Sequence, residues 1–188
     1  MTPEELGAAF EAILFASHRP LKLRELQTAT GSERRDAEAG LTALEQALGG
    51  RGVMLQRLGD EVQVVTSPDQ AQFVRRALRP EVTGRLSPAA YETLAIVAYQ
   101  QPVTRAQVEE LRGVGCETVL GNLELRDLVT EVGRAPGPGQ AKLYGTTMRF
   151  LQVLGLRNLD DLPVPDELRS AFADGARDLP EESSESSG

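Results

Sequence analysis

One histidine and one cysteine are all that 188 residues offer for imidazole or thiol chemistry. Catalysis needs a nucleophile or acid–base group beside a second group that tunes it. His18 falls where an apolar helical run ends, in His18-Arg19-Pro20. There an imidazole serves as a hydrogen-bonding terminus for the helix, and nothing near it in sequence suggests a triad. Cys116 stands at the start of a helical run. A helix N-terminus lowers a thiol's pKa, so a reactive thiolate is one reading. A packed, inert cysteine is the other, and the favoured one. A lone cysteine excludes an intrachain disulfide and a cysteine-rich zinc site. Glu109-Glu110 and Asp160-Asp161 are adjacent pairs, which point apart on a helix and read as solvated faces. Gly113-Val114-Gly115 follows no strand and lacks the third glycine of a dinucleotide loop, and the glycine-rich stretch 133–139 has no following Gly-Lys-Ser/Thr. The expectation is a binding protein, with no catalytic residue, cofactor or metal.

The elements that would position a binding surface come in two copies of one plan. In the first, Leu6, Phe10, Ile13 and Leu14 recur at helical spacing over residues 3–17. Thr2, Pro3 and Glu5 give an N-cap, a first-turn proline and a capping box. Leu23 and Leu26 mark a short second helix ended by Gly31. Ser32 caps a third, with Ala37, Leu41, Leu44 and Leu48 as its stripe and three glycines (49, 50, 52) at its end. The period then drops to two. VMLQRL, Gly59-Asp60 and EVQVVT read as a β-hairpin with a two-residue turn. Ser67-Pro68 opens a further helix with Phe73, Val74 and Leu78. Three helices followed by a hairpin is the order of a winged helix–turn–helix domain.

The second half repeats this order. Ser87-Pro88 starts a helix carrying Leu94, Val97 and Ala98, and Gln100-Gln101-Pro102 turns the chain. Thr104 and Gln107 make a capping box for a short helix with Val108 and Leu111. Residues 116–126 form the third helix, with Val119, Leu120 and Leu123 inward. LVTEV and AKLYGT are the wing strands, joined by the long loop GRAPGPGQ. Thr146-Thr147 begins a last helix with Phe150, Leu151 and Leu154. Superposing Pro20 on Pro102 matches Leu14 to Ile96, Phe15 to Val97, Leu21 to Val103 and Leu26 to Val108. The fold class expected is mostly α with small β-hairpins, two tandem winged helix–turn–helix domains. Their bounds are 1–80 and 86–163, with the connector RPEVTGRL between them and an acidic, largely disordered tail over 164–188. Within the tail, DELRSAFA has the pattern of one loose helix.

The net charge of −8 is unevenly placed. Residues 1–80 carry 10 basic and 11 acidic groups, and residues 86–156 carry 6 and 7, whereas residues 157–188 carry 3 and 9. No apolar run reaches transmembrane length, and the acidic start MTPEELGAAFEAILF does not read as a signal peptide, so a cytoplasmic protein is expected. Duplex DNA binding draws most of its affinity from Lys and Arg, and neither half has a basic excess. In a DNA-reading winged helix the third helix enters the major groove. Here its outward residues are Glu117, Asn122, Glu124, Arg126 and Asp127, more acid than base. Arg75, Arg76 and Arg79 form a small basic cluster suited to a weak DNA contact or a solvated face. A protein-binding role fits better, and a winged-helix transcription regulator is the alternative. Leu6, Ala9, Phe10 and Ile13 on the first helix are either core or a face for a symmetric dimer.

Three stretches then resemble a known family: ILFASHRPLKLREL, LSPAAYETLAIVAYQQPVTRAQVEELRGV and KLYGTTMRFLQVLGLRNLDDLP. Across about residues 5–163 they are similar to segregation and condensation protein B. The combination of AYQQPVTRAQVEELRGV with LYGTT carries most of the likeness. The resemblance implies two winged-helix domains without enzyme activity and a homodimer joined mainly through the first. It also implies binding to the kleisin subunit, segregation and condensation protein A, and through it to the SMC ATPase that organises the chromosome. DNA contact would run through the partners. The motif residues so implied are Tyr99, Gln101, Pro102, Thr104, Arg105, Arg112, Gly113, Leu143, Tyr144, Gly145 and Thr146. All but the two glycines are expected kleisin contacts, in apolar grooves of the second domain. The chain departs from the family pattern at His18, where a glycine is common, at Gly121, and at Arg126-Asp127, where Arg-Gly is more usual.

Overall fold

The computed structural model describes residues 1–78, 86–137 and 139–163. The connector over 79–85, Arg79 of the basic cluster, Pro138 of the long loop, and the tail from 164 onward with its expected helix lie outside the described residues. Two copies of one plan follow each other. The first comprises α1 (Pro3–Ala16), β1 (Leu21–Lys22), α2 (Leu23–Thr30), α3 (Arg34–Ala47), β2 (Val53–Leu58) and β3 (Glu61–Thr66). A 3-10 turn, Pro68–Gln70, and α4 (Ala71–Leu78) follow it. The second comprises α5 (Pro88–Gln100), β4 (Val103–Thr104), α6 (Arg105–Arg112), α7 (Glu117–Leu125), β5 (Val129–Arg134), β6 (Lys142–Thr146) and α8 (Met148–Leu154). A 3-10 turn, Leu159–Asp161, closes it. Each half has its own antiparallel sheet, ordered β1-β3-β2 and β4-β6-β5. Three helices and a wing in this order are the winged-helix topology expected from the sequence.

The helix starts are built as the capping pattern predicts. The Thr2 hydroxyl accepts from the Glu5 N–H at 3.2 Å, and the Glu5 carboxylate accepts from the Thr2 N–H at 2.8 Å. Thr104 and Gln107 repeat the reciprocal pair on α6. Ser87 caps α5 and Thr147 caps α8. Ser32 does not cap the third helix. Its hydroxyl lies 2.9 Å from that of Thr30, and α3 begins after Glu33 with no side-chain cap. Gly59 takes φ of 58° in the two-residue turn that sets Leu58 opposite Glu61.

Two cores result. Leu6, Phe10 and Leu14 of α1 close on Leu41 and Leu44 of α3, with Leu23, Leu26, Leu55 and Val62 completing the cluster. The crossing of α1 and α3 is close because both faces carry glycine. A Cβ on Gly40 would stand 2.8 Å from the Leu6 Cβ and 2.9 Å from the Phe10 ring. Leu94, Val97, Leu120, Leu123, Phe150 and Leu151 are buried in the second core. The repeat is real, but its helix register needs correction. Ala16 and Gln100 end α1 and α5, a spacing of 84, whereas Pro20 and Pro102 are 82 apart. The first turn is two residues longer, so Phe10 and Leu14 match Leu94 and Ala98. Phe15 is 86% exposed and Val97 is fully buried, so they are not equivalents.

Three expected inward residues face out. Leu111 at the end of α6 is exposed, and so are Phe73 and Leu78 of α4. No residue of α4 is buried, because α1–α3 and the sheet already close the first core.

Candidate functional site

The motif residues that carry the family resemblance meet where α5 passes through β4 into α6, against the last wing strand. Gln101 is the centre of this joint. Its carboxamide oxygen accepts from the Thr146 N–H at 2.8 Å and the Thr146 hydroxyl at 3.1 Å. Its amide donates to the Ala98 carbonyl at 3.0 Å, satisfying one of the open carbonyls at the end of α5. The Gln101–Pro102 peptide bond is cis. Val103 and Thr104 then pair with Tyr144 and Leu143 of β6. A Cβ on Gly145 would lie 2.9 Å from a Val132 methyl and 3.0 Å from the Gln101 carboxamide oxygen, which explains the glycine of the LYGTT stretch. Val132 itself is the extra residue of a bulge between Glu131 and Gly133.

Most of the other expected contact residues also serve this half's own packing. Tyr144 and Thr146 are buried, and burial pushes the Tyr144 phenol above its ordinary pKa, with Glu124 adding to the effect. The Arg112 side chain is only 5% exposed and reaches back to Glu92 on α5 at 3.1 Å. Tyr99 donates its hydroxyl to the Pro163 carbonyl and is half-buried. Leu143 is half-buried. Pro102 and Arg105 are exposed. Arg105 bridges the α6–α7 turn, 3.0 Å from Glu117 and 3.8 Å from Glu109. Arg112, Tyr144 and Thr146, expected as partner contacts, thus have their side chains engaged within the chain. Of the residues read as either core or dimer face, Leu6 and Phe10 are packed against α3. Ala9 and Ile13 are half-buried, and Ile13 packs on the first core.

Surfaces that remain open have a different character. Leu125, on the third helix of the second half, is 87% exposed. That helix, ETVLGNLEL, holds two glutamates and no cation. Leu111 and Val114 flank the α6–α7 turn and are exposed. In the first half, Arg34 at the start of α3 is held by Asp60 at 3.0 Å and Glu38 at 3.9 Å. Periodicity named Leu111 as core, and nothing in the sequence singled out Val114 or Leu125. A cleft of about 850 Å³ lies between the two wings, lined by Lys22, Arg24, Asp60, Glu131, Val132 and Arg149 among others. Its charges are mixed in sign.

The Cys116 thiol is buried, and burial raises its pKa, with the Glu109 carboxylate adding to the rise. This removes the reactive-thiolate reading, which needs a lowered value. His18 is exposed at the end of α1. Among the described residues no group of three or more His, Cys, Asp or Glu is arranged to hold a metal, and no helix is long and apolar enough to cross a membrane. Asp127 takes φ of 54°, the left-handed region that favours glycine. The departure from the family's Arg-Gly turn is thus a non-glycine residue in a glycine conformation.

The fold and this surface define a tandem winged-helix protein. Residues 8–165 match the model of the family described as "Segregation and condensation complex subunit ScpB". The chain belongs to that family. Segregation and condensation protein B of Syntrophotalea carbinolica is 44% identical over 165 residues, covering 87% of this chain and 83% of the relative. The crystal structure of ScpB from Mycobacterium tuberculosis is similar at 35% identity, covering 83% of this chain and 98% of that one, with a TM-score of 0.39. A structure described as a dimer of the ScpB N-terminal domain complexed with ScpA peptide is 25% identical, covering 39% of this chain and 95% of that one, with a TM-score of 0.37.

Proposed function

We propose that this chain is a non-enzymatic, homodimeric subunit of a bacterial SMC–kleisin complex. It binds the kleisin, segregation and condensation protein A, and through it serves the SMC ATPase in chromosome condensation and segregation. It works in the cytoplasm on the nucleoid. The observation that carries this reading is the family match, which spans both winged-helix units and whose description is that of a complex subunit. Two features of the surface support it. In the second unit the helix that would enter a DNA groove carries no Lys or Arg and exposes Leu125, and in the first Arg34 at the start of α3 is held by Asp60 and Glu38 while Arg35 follows it. A phosphate-binding face needs cations there, and a partner-binding face accepts an apolar anchor. Kleisin contacts belong on the open positions Pro102, Arg105, Leu111, Val114 and Leu125 rather than on the Gln101 joint. A dimer through α1 uses the exposed Phe15 and its neighbours, since Leu6 and Phe10 are taken.

Size-exclusion chromatography with light scattering tests the reading, on the chain alone and mixed with its kleisin. The expected result is a dimer that shifts into a heteromeric peak. A monomer that does not shift would overturn it, and tight, steeply salt-dependent binding to duplex DNA would favour the regulator alternative.

A further inference from the structure

The first wing has two buried faces, although a solitary wing needs only one. Along β2, Val53 and Leu55 point to the first core, so Met54, Gln56 and Leu58 share the opposite face. That face should meet water. Instead Met54 is buried and Gln56 is completely so. Leu58 packs against the core cluster of the second half, not the first. Gln56 donates its amide to the Leu156 carbonyl at 2.6 Å and accepts from the Gln63 amide at 2.9 Å across the hairpin. Beside it the Arg57 N–H donates to the Arg157 carbonyl at 2.7 Å. β2 is the outer strand of its sheet, so residues 156 and 157 take the edge position that a further strand would hold. Gly155 brings a second, independent sign. It ends α8 at φ of 67°, and a Cβ there would stand 2.8 Å from the Pro68 Cβ of the first half. Only glycine lets the end of α8 sit this close to the Pro68 ring.

We infer that the segment Gly155–Arg157 is a latch that clamps the second winged helix to the first wing and fixes the two units as one rigid body. A buried glutamine satisfied from the other unit, an apolar residue packed against the other unit's core and a glycine at a close contact together make a built interface. Its consequence is that the cleft between the wings has a fixed width before any partner arrives. A partner touching both units then meets a preorganised surface and loses less freedom on binding.

The test is a spin-label distance measurement on the full chain, with labels at the exposed positions Gln46→Cys on α3 and Glu110→Cys on α6 in a Cys116→Ala background. Labelled chain is diluted with excess unlabelled chain so that distances within one copy dominate. The expected result is a single narrow distribution, broadened at least twofold by the double change Gln56→Ala and Leu58→Ser with circular dichroism unchanged. A broad distribution before mutation would overturn the inference. So would a distribution that stays narrow in the double variant. If that variant loses its helical signal, Gly155→Ala, which attacks the latch from the other side, is read in its place by the same criterion.

Discussion

Replacing Gln101 by leucine separates a structural joint from a partner contact. The carboxamide satisfies three groups at once: the Thr146 N–H, the Thr146 hydroxyl and the Ala98 carbonyl. Thr146 and Ala98 are both buried, so leucine leaves these groups with little access to water. Each orphaned buried group costs about 1–3 kcal/mol. Gln101 is itself half-buried, so water reaches part of the gap and the total is placed at roughly 3 kcal/mol. With a slope of about 1.5 kcal/mol/M, that lowers the urea midpoint of the second unit by roughly 2 M. Far-UV circular dichroism of the full chain in urea reads this directly. An unchanged midpoint together with weakened kleisin binding would refute the reasoning and return Gln101 to the partner surface.

Other consequences follow from the same geometry. Gly40→Ala places a methyl 2.8 Å from the Leu6 Cβ, and overpacking of about 1–3 kcal/mol outweighs the gain of up to about 1 kcal/mol in helix propensity. Gly121→Ala meets open space and should stabilise by about 0.5–1 kcal/mol, so the two changes must have opposite signs in thermal melts. The Glu25 carboxyl is held down to about 2, from an ordinary 4.5, first by its hydrogen bonds with Arg19 and then by the Lys22 N–H. A lowered folded-state pKa stabilises above the unfolded value, so its contribution is full above about pH 4.5 and fades as the pH falls towards about 2. An NMR titration of Glu25 should show a midpoint near 2, and an ordinary midpoint would contradict the pairing. Cys116, buried with a raised pKa, should react with a thiol reagent more slowly than a free thiol at neutral pH and speed up in denaturant; fast labelling of the native chain would contradict its placement.

Local chemistry made much of the fold legible. Capping boxes at Thr2–Glu5 and Thr104–Gln107, the Gly59-Asp60 turn and the change of period after Gly52 all correspond to observed elements. The strands β1 and β4 were not legible, because two residues cannot display a period. They form because β3 and β6 offer free edges to the turns after Pro20 and Pro102. The first helix shows how tertiary packing decides among apolar neighbours. Leu14 and Phe15 are adjacent and both hydrophobic, yet one is buried and the other almost fully exposed.

The site was less legible than the fold. Resemblance marks residues without saying whether they touch a partner or each other. Gln101, Arg112, Tyr144 and Thr146 make contacts within the chain that join segments about 20 to 45 residues apart, which their spacing in sequence does not display. A usable signal did exist for the latch. Met54, Gln56 and Leu58 alternate on what should be the wet face of a wing, and two apolar residues flanking a glutamine there call for a covering element.

The proposed function rests on kleisin binding through the open apolar surface of the second winged helix. A calorimetric titration of the full chain with its kleisin at physiological salt tests it most directly. The expected result is saturable binding with Kd below about 1 μM, weakened at least tenfold by Leu125→Asp and Leu111→Asp together. No heat and no complex at any ratio would contradict it.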